Sequence, residues 1–248
     1  MAGDLSSIEG VAPSEVMRAE LAAPGRPVLL AFSRGKDAIG AWLALRDAGV
    51  EVVPYHLELI PGLQFVRDSL AYFEEWFGQR IIRLPHPSFY RWLRHRTFQP
   101  PERWGVIHAA QIPRVEYPHI YEALKVTLGL PADTWVCNGV RAADSPQRRL
   151  AMANQGPWNH SDRSVAITWD WRIAKVRAEI AAAGIELPVD YELWGRSFDG
   201  VDHRFLAPMR RALPEDFERL LHWLPLADLF LFRCADECCA DYPRGPHV

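Results

Sequence analysis

The sequence predicts an α/β protein: an open, mostly parallel five-stranded sheet with helices on both faces, followed by a C-terminal helical tail. Three observations predict it. Short apolar runs alternate with segments of helical period, the order that a parallel sheet requires. The first run, at 27–33, leaves through a polar knot, Ser33-Arg34-Gly35-Lys36-Asp37, straight into a helix. From about Arg204 the alternation stops and only helical periodicity remains.

Each element follows from its own residues. Residues 1–24 read as an N-terminal helical extension, with Ser14 as candidate N-cap and Glu15 as a favourable first-turn charge. After the strand at 27–33, residues 37–48 form a helix that Gly49 ends. A second strand at 51–58 closes at Pro61-Gly62. In 64–77, Phe65, Leu70, Phe73, Trp76 and Phe77 recur at helical spacing, and Gly78 stops the run. A third strand lies in 80–87, and helices near 87–95 and 116–128 flank an irregular Pro-rich stretch. Strands at 134–140 and 164–169 and a helix at 170–183, ended by Gly184, complete the alternation. The α/β domain thus spans 25–203 and the tail 204–248.

The totals narrow the class. The chain has 248 residues, 49% hydrophobic and 24% charged, enough to bury a substantial core. No apolar run reaches the roughly 18 residues of a membrane span, and the first 15 residues lack the basic and apolar regions of a secretory signal. Of four cysteines, three crowd into Cys234, Cys238 and Cys239, unlike a secreted disulfide framework. A cytoplasmic location is the expectation. A net charge of −3 argues against a general nucleic-acid coat. Lysine occurs only at Lys36, Lys125 and Lys175, which makes Lys36 in the knot less easily dismissed as filler.

A structural turn needs Gly or Asn and little else. This one adds a hydroxyl, two cations and a carboxylate at a helix N-terminus, where unpaired N–H groups and the helix dipole attract anions. The Walker A spacing is absent. A second candidate is "NGVRAADSPQRR" (138–149), directly after the fourth strand. Gly139 permits close backbone approach, and Arg141 and Arg148 supply planar forks for phosphate or sulfate.

The first of these segments resembles the PP-loop, S-G-G-x-D-S, of ATP pyrophosphatases and their relatives the phosphoadenylyl-sulfate (PAPS) reductases. Ser33, Gly35, Lys36 and Asp37 match; Arg34 stands where Gly is usual and Ala38 where Ser is. Glu58 takes the acidic position of the family's D-T-G motif, with Leu59 and Ile60 in place of Thr and Gly. Gly139, Arg141, Ser145 and Arg148 are similar to its G-x-R-x-x-x-S-x-x-R. Trp169, Asp170 and Trp171, then Gly184-Ile185, then the turn from Gly195 to Gly200, follow the family's order, so the likeness covers roughly 27–200.

The resemblance implies an adenine nucleotide α-hydrolase-like fold and a nucleotide site made of Ser33, Arg34, Gly35, Lys36, Asp37, Glu58, Gly139, Arg141, Ser145 and Arg148. It implies ATP with Mg²⁺, cleaved between the α and β phosphates to activate an acceptor in sulfur or nucleic-acid modification. Lys36 would hold pyrophosphate, Asp37 would help place the metal, and Arg141 and Arg148 would neutralise developing charge. A sulfur-carrier or nucleic-acid partner and a homo-oligomer are compatible with it.

Two alternatives stay open. In a thioredoxin-dependent PAPS reductase the nucleophile would be Cys238, preceded by Glu237 as in the family's tail. Here, however, Cys239 and Ala240 follow, and Asp236, Glu237 and Asp241 disfavour a thiolate. The cysteines also lack paired metal-ligand spacing. The other alternative is a nucleotide-binding module without catalysis. Separately, 89–104 interleaves Arg91, Arg94, Arg96 and Arg103 with Trp92, Phe98 and Trp104, a composition suited to single-stranded nucleic acid or to an amphipathic helix with a solvated face.

Overall fold

The computed structural model describes residues 7–232. Six strands form one sheet: β1 (Val28–Ala31), β2 (Val52–Glu58), β3 (Ile82–Pro85), β4 (Val136–Asn138), β5 (Trp158–Asn159) and β6 (Ser164–Ala166). The helices are α1 (Ser14–Ala22), α2 (Lys36–Asp47), α3 (Gln64–Phe77), α4 (Pro87–Arg94), α5 (Trp104–Ala109) and α6 (Tyr117–Leu128). They continue with α7 (Pro146–Gln155), α8 (Ile173–Ala182), α9 (Asp190–Trp194), α10 (His203–Ala212), α11 (Pro214–Trp223) and α12 (Leu229–Phe232). Short 3₁₀ turns lie at Pro101–Arg103 and Ala142–Asp144. Among the described residues, no helix is long and apolar enough to cross a membrane.

The strand order is β3-β2-β1-β4-β6-β5. β1 runs parallel to β2, with Leu30 opposite Pro54, and parallel to β4, with Leu30 opposite Cys137. β4 pairs parallel with β6. The pattern predicts five strands; the sixth, β5, lies antiparallel to β6. Its two residues follow Pro157, whose carbonyl accepts from the Ala166 N–H at 3.0 Å, so it extends the β6 edge without a hydrophobic run of its own.

The chain divides into two compact units. The first takes the chain up to His56, Arg80–Arg83 and Tyr117–Leu187; the second takes Leu57–Gln79, Leu84–Glu116 and the chain from Pro188. These boundaries fall elsewhere than 24/25 and 203/204.

In the first unit, Leu29, Leu30, Val136, Cys137 and Val165 of the strands are buried with Ile39 and Leu43 of α2. Burying a side chain of this size contributes roughly 1.5–3 kcal/mol. Gly40 lets α2 meet α8, since a Cβ there would lie 3.3 Å from a Val176 methyl. α1 is tied to the same unit. Arg18 donates to the Ile167 carbonyl at 2.8 Å, and Trp169 Nε1 donates to the Ala12 carbonyl at 3.1 Å.

Ser14 is not the N-cap of α1: Pro13 is, and Ser14 is the first helical residue. Its N–H and hydroxyl instead donate to the Asp170 carboxylate, at 2.9 and 2.5 Å. Helix α8 begins at Ile173 rather than at 170. A turn at 167–170 presents the carboxylate to α1.

In the second unit, Phe65, Trp194, Phe198 and Phe205 pack edge-on or tilted, with ring centroids 5.4–5.7 Å apart. Leu63, at the N-cap of α3, offers no side-chain acceptor. The buried Asp216 of α11 takes that role, accepting from the N–H groups of Gln64 (2.6 Å) and Phe65 (3.0 Å). The stretch expected to be irregular between α4 and α6 contains α5 and a 3₁₀ turn. Pro101 starts that turn from a position where proline suits a first helical turn.

Candidate functional site

The first unit brings two loops together beyond the C-terminal ends of β1 and β4. Phe32, at the end of β1, packs its ring against Trp42 (5.0 Å), and its carbonyl lies 2.8 Å from Nδ1 of the buried His56. The chain then passes exposed Ser33 to Arg34, whose backbone is left-handed (φ 65°) and whose side chain is 2% exposed. Left-handed backbone costs a non-glycine residue roughly 1–2 kcal/mol. Arg34 thus adopts a conformation that glycine favours. Gly35, with φ −74°, is the N-cap of α2 and provides no side-chain cap.

The second loop approaches the first closely. A Cβ on Gly139 would lie 2.3 Å from the Asp37 carbonyl oxygen. Gly139 is therefore required by the backbone of α2's first turn. Arg141, only 5% exposed, sits between two carboxylates. Its Nε is 2.9 Å from Asp37 Oδ1, and its terminal nitrogen donates to Asp144 Oδ1 at 2.5 Å. The Nε–H is not directed at Asp37, and neither Arg141 Nε nor Asp37 Oδ1 has a hydrogen bond among the described residues. Lys36 Nζ lies 3.3 Å from Asp37 Oδ2, and Arg148 donates to Asp144 Oδ2 at 2.7 Å.

A continuous chain of charge results: Lys36, Asp37, Arg141, Asp144, Arg148. Three cations against two carboxylates leave one net positive charge. The Lys36 side chain is 28% exposed and that of Arg148 51%, so the two ends of the chain reach solvent while Arg141 is its buried centre.

Of the residues singled out from the sequence, Lys36, Asp37, Gly139, Arg141 and Arg148 thus meet in one place. Ser33, Arg34 and Gly35 form the loop that leads there. Ser145 acts as the N-cap of α7, its hydroxyl accepting from the Arg148 N–H at 3.2 Å. Glu58 ends β2 in the second unit, where its carbonyl accepts from the His86 N–H at 2.9 Å. Cys238, with Cys234 and Cys239, lies outside the described residues. Burial raises the thiol pKa of Cys137 well above its ordinary value, so this thiol is chemically quiet.

Neither known protein-family models nor curated proteins match this sequence.

Asp144 is the residue that sequence reasoning passed over. Its signal was its spacing, three residues after Arg141 and four before Arg148, next to the Ser-Pro start of α7. As for a metal, no group of three or more His, Cys, Asp or Glu side chains suited to hold one occurs among the described residues. Asp37, with a buried oxygen lacking a hydrogen bond, fits a divalent ion only as one carboxylate among ligands that phosphate oxygens and water complete.

Proposed function

We propose that this protein is a PP-loop adenine-nucleotide-binding enzyme that cleaves ATP between the α and β phosphates to activate an acceptor. The observation that carries the reading is the position of the charged chain in the sheet. From β1 the chain moves outward to β2 and β3, then returns to β4 on the other side of β1. Strand order therefore reverses between β1 and β4. Open α/β sheets bind ligands beyond the carboxyl ends of their strands at such a point. The loops after these two strands carry Lys36, Asp37, Arg141 and Arg148.

The chemistry of the loops supports an anion. The first N–H groups of α2 have no side-chain cap, and the positive end of the helix dipole lies there. Lys36 and Arg148 supply charge from the solvent side to pyrophosphate oxygens. Arg141 is a positioning residue: it donates to Asp144 and sets its buried charge beside the Asp37 carboxylate. Mg²⁺ carried with the nucleotide would offset charge on the phosphates, with Asp37 as its one protein carboxylate. Such electrostatic positioning is the main protein contribution to phosphoryl-type transfer.

One observation favours a second reading. The site's cations are largely matched by its own carboxylates, which suits a nucleotide-binding module without catalysis. Calorimetric titration with ATP, PAPS and adenosine 3′,5′-bisphosphate, with and without Mg²⁺, tests binding. Lys36→Ala should weaken ATP binding about tenfold, the loss of one charge-assisted contact, with an unchanged melting curve. Unchanged affinity in a folded variant would refute the phosphate-loop reading. Release of pyrophosphate, strongly reduced in Asp37→Asn, separates the enzyme from the module. Sulfite release from PAPS that depends on Cys238 would make the protein a reductase instead.

A further inference from the structure

The arginine-rich stretch 89–104 separates into two groups in the second unit. Arg91 donates to Ser88 Oγ at 3.0 Å and Arg103 to the His222 carbonyl at 2.7 Å, so both hold local structure. Arg94 and Arg96 instead line a cavity of about 410 Å³ together with His108 and Arg114. Ile107 and Ile112 form part of its wall. Arg94 ends α4, and Ile107 and His108 come from α5. Among the described residues, no acidic side chain lines the cavity.

The cations are unevenly compensated. Arg114 pairs with Glu116, its Nε donating at 2.7 Å. Among the described residues, neither Arg94 nor Arg96 forms an ion pair with a carboxylate. Arg96 is nonetheless placed: its guanidinium lies over the Trp104 ring, 5.5 Å from the centroid, on a left-handed backbone of φ 57°. Trp104 is fixed in turn by its Nε1–H, which donates to the Gln99 carbonyl at 3.1 Å. Of the aromatics suited to stacking bases, Phe98 is engaged elsewhere, against Phe230 at 5.5 Å. An extended nucleic-acid strand would need them.

We propose that this cavity binds the phosphate group of a compact phosphate ester, with Ile107 and Ile112 against the ester's apolar portion. Planar guanidinium forks match phosphoryl oxygens, and a concave wall mixing a few polar groups with apolar ones is the usual form of a small-molecule site. None of the residues lining it belongs to the loops beyond β1 and β4, and its occupancy does not depend on their function.

The test follows the His108 imidazole by NMR in the full chain with ¹³C-labelled histidine, assigned through His108→Gln. Pyrophosphate is titrated at constant ionic strength, with chloride as the control for screening. The expected result is a saturable displacement of the His108 resonance. Arg94→Gln and Arg96→Gln should each weaken it about tenfold, with the other histidine resonances unchanged, whereas Lys36→Ala should leave it intact. A response equal to that of chloride, or one that persists in the Arg94→Gln/Arg96→Gln double variant, would overturn the proposal. So would a short single-stranded oligonucleotide that saturates His108 at lower concentration than pyrophosphate, since the site would then serve a polymer.

Discussion

Arg34 combines two costs that sequences usually avoid, a left-handed backbone and a buried guanidinium. Such strain persists only where surrounding structure over-determines it, and it gathers at functional turns. Two substitutions separate the backbone from the side chain. Arg34→Gly and Arg34→Ala both remove the guanidinium, but only Gly relieves the φ of 65°. Arg34→Gly should therefore be more stable than Arg34→Ala by about 1 kcal/mol in urea unfolding. The reverse order, ordinary for a residue in regular structure, would show that the loop is not held as described. The two remaining lysines have structural places. Lys125 donates to the Ala132 carbonyl at 3.0 Å and Lys175 lies over Trp171, which leaves Lys36 as the lysine on the candidate site.

At the scale of elements, the junction of β4 with α2 depends on an absent side chain. Gly139→Ala places a methyl carbon 2.3 Å from the Asp37 carbonyl, and backbone there cannot rotate away. The expected loss is about 3 kcal/mol of stability, together with loss of any Lys36-dependent ligand binding. A variant as stable as the parent would contradict this packing. Asp216→Ala should cost about 3 kcal/mol by leaving two α3 N–H groups without their charged acceptor; thermal unfolding reads it directly. Helix α3 was fully legible, from Gln64 to Phe77, because its apolar residues keep one face and Gly78 takes the left-handed cap at φ 65°. Helix α7 was not, because within PQRRLAMANQ only Met152 is buried and no apolar stripe announces it. The loops of the candidate site could be read from residue type. Their junction could not, because it rests on Asp144 and on a backbone contact at Gly139, neither of which follows from spacing along one segment.

For the whole molecule, acid sensitivity has a nameable contributor in the second unit. His86 caps α4, its Nδ1 accepting from the Ser88 N–H at 3.0 Å, and burial, aided by Arg91, lowers its pKa to about 4. The unfolded chain takes up this proton near pH 6.5 and the folded chain only near pH 4. Stability from this group is complete above about pH 6.5, declines as pH falls toward about 4, and is level below that. The slope is at most about 1.4 kcal/mol per pH unit. His86→Asn keeps an acceptor at the cap without a titrating ring, so its urea midpoint should fall less between pH 7 and pH 5 than the parent's. Equal declines would place the sensitivity elsewhere. The interleaving of the two units has a consequence for biosynthesis. Leu29 of β1 pairs with Val136 of β4, more than a hundred residues later in synthesis, and neither unit is a continuous stretch of chain. A ribosome delivering the protein from its N-terminus cannot release one finished unit before starting the other. β1 must wait, with its β4-facing edge unsatisfied, until Trp135 and Val136 emerge. Folding of the first unit on the ribosome is then late, its last segment ending at Leu187, and the nascent chain depends on whatever shields its first strands in the interval.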